Sequence, residues 1–309
     1  MIDTHSKLEL NEAEFRLFSD LIRRRCGLHF DANTRFLLER RLVRLIEESG
    51  ASSVTSYLYR LRSGPNAEEE FWRLVDALTT NETYFFRERS QLAALIAEII
   101  PEMRTRRSLT GRPVAIWSAG CASGEEPFSI VMLGLEAGLE PGRDFRVYAS
   151  DISRTALAKA RRGVYREASF RETEARLRQR YFSTKEGLSR ISDEIKHHVD
   201  FNHMNLFDDA RVSLLGPMDV ILCRNVIIYF DGDTKKRVMR TFHDKLCPGG
   251  YLLLGHAESL INVTTDFELK SLEHELVYRR PVAGEERLDR WHALASVAID
   301  RVEGSEAEP

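Results

Sequence analysis

The sequence predicts an α/β protein: a largely parallel sheet with helices on both faces, preceded by an all-helical N-terminal domain. Three observations carry that expectation. Before residue 80 the apolar residues recur only at helical spacing. From Val114 onward, strand-like apolar runs alternate with helical patterns. At the first of those runs, Val114 to Trp117, the chain passes through a loop of small residues, Ser118 to Gly124, into a helix opened by Glu125 and Glu126.

Asn11 with Glu14 makes a capping-box pattern. Phe15, Phe18, Leu21 and Ile22 follow at helical spacing, and Gly27 is a good stop. A second helix is expected from near Asn33 to Ser49, with Gly50 after it, and a third from Val54 to Arg62. Asn66 with Glu69 caps a fourth, which carries Phe71, Leu74, Val75 and Leu78. The expected strands are Val114 to Ala119, Arg146 to Ser150, Asp219 to Cys223, Tyr251 to Gly255, Phe267 to Leu272 and Glu275 to Arg279. Helical patterns lie at Glu125 to Leu139, Arg154 to Arg161 and Thr234 to Leu246. The last two strands follow one another with no helix between them, so they should pair antiparallel as a hairpin at one sheet edge.

Residues 163–200 interrupt the alternation. A polar helix around Glu172 to Tyr181 and two strand-like pieces, near Leu188 to Ile191 and His198 to Phe201, read as an inserted β-rich subdomain. Leu288, Trp291, Leu294 and Ala298 give the tail a short amphipathic pattern, read as a docked or frayed helix. The expected organisation is a helical domain at 1–80, a sheet domain at 81–280 with its insertion at 163–200, and a tail at 281–309.

Over 309 residues, 43% hydrophobic and 30% charged content are ordinary for a soluble globular protein. The net charge of -3 predicts no bulk attraction to nucleic acid or to a membrane surface. Cys26, Cys121, Cys223 and Cys247 are scattered with no CxxC pair, which argues against a zinc or redox motif and fits a reducing compartment. His197, His198, His203 and His256 lack metal-ligand spacing, so no metal is expected. With no signal-peptide pattern and no apolar run near the ~18 residues of a membrane span, a cytoplasmic protein is expected.

In open α/β sheets, ligands lie beyond the carboxyl ends of the strands. Small residues let the backbone approach such a ligand closely. The loop holds only Gly120 and Gly124, so it is not the GxGxxG dinucleotide fingerprint. Acids where a phosphate would sit favour a ligand with a cationic group. S-adenosyl-L-methionine (SAM) carries an ammonium and a sulfonium. Asp151, ending the second strand, suits a ribose diol, but it equally suits an N-cap. Arg224 and Asn225 follow a buried strand and suit either the ligand or a structural hydrogen-bond network. Tyr229 and Phe230 also suit the core. The segment from Asn81 to Glu88 lies at the domain junction. Its Phe85 and Phe86 suit packing, whereas Asn81, Thr83 and Arg87 suit a ligand cleft there.

Together these segments resemble the chemotaxis receptor methyltransferases, the CheR family. The resemblance runs from about residue 10 to residue 280. It rests on Asn81-x-Thr83-x-Phe85-Phe86-Arg87, Ser123-Gly124-Glu125-Glu126-Pro127, Ala149-Ser150-Asp151-Ile152, Cys223-Arg224-Asn225-Val226-x-Ile228-Tyr229-Phe230, and Pro248-Gly249-Gly250 leading to Gly255-His256-x-Glu258. It implies a Rossmann-like SAM-dependent methyltransferase domain with a small β-rich insertion behind an all-α domain. It implies methylation of glutamate side chains on the cytoplasmic domains of bacterial chemoreceptors, with S-adenosyl-L-homocysteine (SAH) as product. Implied SAM contacts come from Asn81, Thr83, Arg87, Glu126, Asp151, Asn205, Leu206, Arg224 and Asn225. Of these, Asp151 would meet the ribose, Asn205 and Leu206 the adenine, and Glu126 the methionine end. The family's Glu-Asn is Glu258-Ser259 here, so no role is placed on that segment. The chain beyond Arg280 lies outside the shared pattern.

A glutamate side chain is already ionised near pH 7 and needs no general base. The expected catalytic residues are therefore positioners. Arg87 matches a carboxylate bidentately, either the acceptor's or that of SAM, and Tyr229 offers a hydroxyl beside the reacting atoms. Arg40 and Arg44, one helical turn apart, read either as a docking face for an acidic receptor helix or as a solvated face balanced by Glu39, Glu47 and Glu48. A monomer is expected, with no nucleic-acid partner and no membrane insertion. A nucleic-acid methyltransferase would carry an Asp/Asn-Pro-Pro-Tyr type motif where Arg224-Asn225-Val226 stands. The alternative of another class is a non-catalytic SAM sensor or scaffold, against which intact Arg87, Asp151, Arg224 and Tyr229 argue.

Overall fold

Asn11 opens the first helix, α1 (Glu12–Cys26), with both halves of the capping box. Its side chain accepts from the Glu14 N–H at 2.9 Å, and the Glu14 carboxylate accepts from the Asn11 N–H at 3.0 Å. Gly27 ends it in the left-handed conformation. Three more helices follow: α2 (Arg35–Ser49), α3 (Val54–Ser63) and α4 (Ala67–Leu78). Their apolar stripes, including Phe18, Leu42, Tyr57 and Phe71, close on one another in a single core. Asn66 precedes α4 but its side chain makes no cap bond, because its backbone (φ -115, ψ 30) is not extended. Glu68, Glu69 and Glu70 complement the helix dipole there instead. The computed structural model describes residues 10–108 and 111–284, so the expected amphipathic pattern after residue 285 lies outside the described residues.

Between Glu88 and Val114, where the sequence reading placed no element, a continuous helical rod runs as α5 (Arg89–Ala94), a π turn (Leu95–Ile99) and α6 (Ile100–Arg106). The wide π turn ends just before Pro101, which has no N–H to give the ladder. Leu92, Leu95, Ile99 and Met103 of this rod pack on Val114 and Ile116 of the sheet.

The sheet domain then unfolds in order as β1 (Val114–Ala119), α7 (Glu125–Glu136), β2 (Phe145–Asp151) and α8 (Arg154–Arg162). Next come β3 (Val164–Tyr165), α9 (Ala175–Tyr181), β4 (Phe182–Lys185), β5 (Leu188–Ile191), α10 (Asp193–Lys196) and β6 (Val199–His203). The chain closes with α11 (Asp209–Ser213), β7 (Met218–Cys223), α12 (Gly232–Lys245), β8 (Leu246–Leu254), β9 (Glu268–Ser271) and β10 (Leu276–Arg279). The main seven-stranded sheet has the order β6-β2-β1-β7-β8-β10-β9. Its neighbours from β6 to β8 are parallel, whereas β10 runs antiparallel to both β8 and β9, as expected of the final hairpin. The chain moves outward from β1 through β2 to β6, then returns to β7 on the other side of β1. That reversal makes the carboxyl ends of β1, β2 and β7 the place for a ligand.

The insertion differs from expectation in one strand. His198 to Phe201, read as part of the subdomain, belongs to β6, the edge strand of the main sheet, paired with β2 from Val147↔Val199 to Asp151↔His203. The subdomain itself is a three-stranded sheet, β3-β5-β4. Its β3 is too short, and its β4 too polar, to announce itself by alternation.

The helical domain sits against the carboxyl edge of this sheet. The His29 N–H donates to the Tyr229 carbonyl at 2.9 Å, and the Asn205 side-chain amide donates to the Arg25 carbonyl at 2.7 Å. Asp76 of α4 reaches the start of α8, where its Oδ1 accepts from the Ser153 hydroxyl at 2.6 Å and from the Thr155 N–H at 3.3 Å. One domain's carboxylate thus helps cap the other domain's helix. Asp76→Ala should lower unfolding stability by about 1–2 kcal/mol in a urea titration. An unchanged midpoint would contradict this account of the interface.

Candidate active site

The turn after β1 decides how close anything can lie to the sheet edge. Gly120 has φ 84, and a Cβ there would sit 2.4 Å from Val226 Cγ2. Only glycine lets the loops after β1 and β7 meet. The N–H groups of Gly120 and Cys121 both donate to the Ser150 carbonyl, at 2.8 and 2.9 Å, which folds the loop over the end of β2.

Asp151 stands in that fold. Its Oδ2 accepts from the Ala122 N–H at 2.8 Å and its Oδ1 from the Ser153 N–H at 2.7 Å. The side-chain cap of α8 is Ser153, which accepts from the Ala156 N–H. Asp151 is therefore not the helix cap but a fixed carboxylate facing the cleft. Burial pushes its carboxyl up to about 6, against the pull of its backbone donors.

The two acids that open α7 part company. Glu125 is buried and turns away, accepting from the hydroxyls of Ser123 at 2.9 Å and Ser169 at 3.1 Å. Burial raises its carboxyl above the ordinary value. Glu126 faces the cleft. Its Oε1 accepts from the Ser118 hydroxyl at 2.7 Å and its Oε2 from Arg224 Nη1 at 2.9 Å. Arg224 also pairs with Glu88 at 3.1 Å and donates to the Arg87 carbonyl. With its side chain 2% exposed, it is the hub of a buried ion-pair network. That is one of the alternatives its sequence position left open.

All the sequence-predicted site residues line one cleft of about 1100 Å³, part of it open to solvent. They are Asn81, Thr83, Arg87, Glu126, Asp151, Asn205, Leu206, Arg224, Asn225 and Tyr229. They differ in what their side chains have left to offer. Both side-chain ends of Asn205 are engaged, with the Arg25 carbonyl and with the Phe207 N–H at 3.1 Å. Arg87, in contrast, makes only long contacts among the described residues: to the Glu82 carbonyl at 3.3 Å, to Glu88 at 4.0 Å and over the Tyr84 ring at 5.7 Å from its centroid. Asn81 likewise holds Thr79 and Ser153 only at 3.4 Å. Tyr229 is 36% exposed, on a 3-10 turn. Phe85 and Phe86 are fully buried, with Phe85 packed among Tyr165, Phe170 and Phe182. The junction segment thus does both things its sequence allowed.

Sequence reasoning missed several contributors. Cys26, Leu28 and Leu78 of the helical domain form a wall of the cleft. Nothing in a helix's own periodicity reveals such a wall. Glu88 pairs with Arg224, and Glu258 accepts backbone bonds from Asn225 and Ile228. The Gly255-His256-x-Glu258 pattern was visible, but the Ser259 departure drew a role away from it.

Comparison with known proteins gives a consistent result. The family described as CheR methyltransferase, SAM binding domain, matches residues 81–276, and that described as CheR methyltransferase, all-alpha domain, matches residues 13–79. A chemotaxis protein methyltransferase 2 of Vibrio cholerae serotype O1 is 35% identical over 90% of this chain and 96% of its own length. Chemotaxis protein methyltransferases of Klebsiella aerogenes and Escherichia coli K12 are 38% and 36% identical. They cover 85% and 87% of this chain and 89% and 92% of their own lengths.

The cleft fits SAM. A rigid carboxylate with lone pairs to spare suits a ribose diol, the acids suit a cationic amino-acid end, and Leu206 with Ile152 offers apolar surface for a base. Asp151→Asn should weaken SAH binding by about 10- to 100-fold, since a charged acceptor is lost from a buried site. In the unaltered protein, SAH affinity should fall as pH drops through about 6, because protonation removes that acceptor. The Asn variant should be weak and flat over the same range. Calorimetry from pH 5 to 8 checks both, and pH-independent wild-type binding would contradict the assignment.

Proposed function

The chain belongs to the CheR methyltransferase family and uses SAM as methyl donor, and on that premise we propose that it forms methyl esters on glutamate side chains in the cytoplasmic region of bacterial chemoreceptors, in sensory adaptation. One observation carries this reading. Beside the cleft stand a guanidinium with only long contacts, Arg87, and a half-exposed phenol, Tyr229, and both line it. These groups suit a carboxylate acceptor that needs to be held rather than deprotonated. The relatives' names favour catalysis over a sensor or scaffold.

SAM supplies an electrophilic methyl group on a sulfonium. The protein's work is to bring a carboxylate oxygen into line with it and to keep water away. Arg87 holds the acceptor carboxylate through its fork of N–H groups. Tyr229 donates its hydroxyl beside the reacting atoms and limits the angle of approach. Asp151 holds the ribose, and Glu126, kept in place by Ser118 and Arg224, faces the methionine end. Leu28 and Leu78, from the helical domain, close the cleft's apolar side.

The partner's docking ridge lies on α2. Phe36 is 62% exposed, and Arg40 and Arg44 follow it at successive helical turns on one face. Arg44 pairs with Glu48 at 2.6 Å across the helix surface, a contact that an acidic partner helix would exchange.

Arg87→Ala should lower kcat by about 100-fold or more through lost alignment, with SAH affinity changed less than about threefold. Steady-state SAH formation with a receptor cytoplasmic fragment, alongside calorimetry, checks this. An equal loss of SAH affinity would move Arg87 to the cofactor side, and near-normal turnover would remove it from the site. Reversing Arg40 and Arg44 to Glu should raise KM for the receptor fragment about tenfold at low salt and leave SAH binding unchanged. Equal KM in both proteins would dismiss the ridge.

A further inference from the structure

Beyond the residues that face the cleft, one carboxylate stands behind them. Glu258 lies in the loop after β8, away from the ligand side. Its Oε2 accepts from the Asn225 N–H at 2.7 Å and the Gly255 N–H at 2.8 Å, and its Oε1 accepts from the Ile228 N–H at 3.2 Å. Backbone groups from two strand-end loops therefore converge on a single anion, as in an anion-binding nest. Among the described residues no Lys or Arg pairs with Glu258, so these N–H groups are what offsets its partial burial.

The bonds fall where the backbone most needs them. Asn225 is held at φ 59, a left-handed conformation costly for a residue with a Cβ. It directly follows Arg224, and the 3-10 turn Ile227–Tyr229 begins two residues later. One carboxylate oxygen fixes the strained peptide and the other fixes the turn that presents Tyr229. Gly255 is part of the same device. A Cβ there would lie 2.8 Å from Asn225 Nδ2, 3.0 Å from the Asn225 N and 3.0 Å from Glu258 Oε2. Only a glycine lets the loop after β8 come this close. The Gly255-His256-x-Glu258 pattern thus has a physical reading: close approach at its first position, and the anchoring anion three residues on.

We propose that Glu258 is a positioning residue for methyl transfer, an internal anion that sets the Arg224–Tyr229 loop so that Asn225 meets the cofactor and Tyr229 meets the acceptor. It touches neither itself. The acceptor half of this inference rests on the function proposed above. The cofactor half, through Asn225, rests only on SAM binding.

The test is Glu258→Gln, nearly isosteric, whose amide nitrogen would face N–H groups it cannot accept from. Far-UV circular dichroism should match wild type. The Kd for SAH should rise about tenfold, and kcat with the receptor fragment at saturating SAM should fall about tenfold or more, because small misplacements at a reacting centre are costly. A double-mutant cycle with Tyr229→Phe should be strongly non-additive in kcat, the second change adding little to the first. Gly255→Ala, which crowds the same loop and the carboxylate oxygen but leaves the charge in place, should reproduce the loss of SAH affinity. A folded Glu258→Gln protein with wild-type Kd and kcat overturns the proposal, and multiplicative effects in a cycle where Tyr229→Phe itself lowers kcat overturn its acceptor half. If Tyr229→Phe alone keeps wild-type kcat, the role of Tyr229 fails. The SAH affinity of Glu258→Gln then still decides whether Glu258 sets the cofactor side.

Discussion

Much of this molecule is organised around the two backbone hydrogen bonds that hold Asp151. One comes from the loop after β1 and the other from the first turn of α8. They gather the carboxyl ends of two neighbouring parallel strands and a helix start into one rigid corner. Through Ser153 the corner extends to Asp76, and so to the helical domain. Their cost is a carboxylate taken out of water, visible in its raised titration point. A purely structural corner would be served as well by a neutral side chain. A charged one, kept at that cost, is understandable where a ligand's hydroxyls arrive to share it.

The same arrangement recurs at the other two loops of the cleft. Arg224 is spent on Glu126 and Glu88, and Glu258 is spent on the backbone around Asn225. Glu126 and the Asn225 loop, which line the cleft, are thus each held by a charged partner. Arg87 is held more loosely, since its own contacts are long. A carboxylate acceptor that must remain nucleophilic calls for alignment without strong neutralisation, and a loosely tethered guanidinium answers that need better than one locked in a buried pair.

Strands β1 and β7 were legible because each is a short, almost wholly buried apolar run, and β1 was read to its ends, Val114–Ala119. Helices α1 to α3 were legible because one face is apolar and glycines follow them. The rod at 89–106 was not, because its apolar residues sit close together without a clear stripe and a π turn breaks the period. His198 to Phe201 looked like part of the insertion because a short strand carries no sign of the sheet it will join. The cleft residues were legible as motif positions, but not their division of labour. Whether Arg224 meets a ligand or two glutamates depends on Glu88 and Glu126, which are far from it in sequence and reach it only in the fold.

The account's central claim is a transfer of methyl from SAM, bound across the carboxyl edge of the sheet, to a protein carboxylate. The most direct measurement is incubation with methyl-labelled SAM and a chemoreceptor cytoplasmic fragment, followed by mild base. The account predicts label on glutamate residues of the fragment that base releases as methanol. Absence of label on the fragment, or label that survives base, would contradict it.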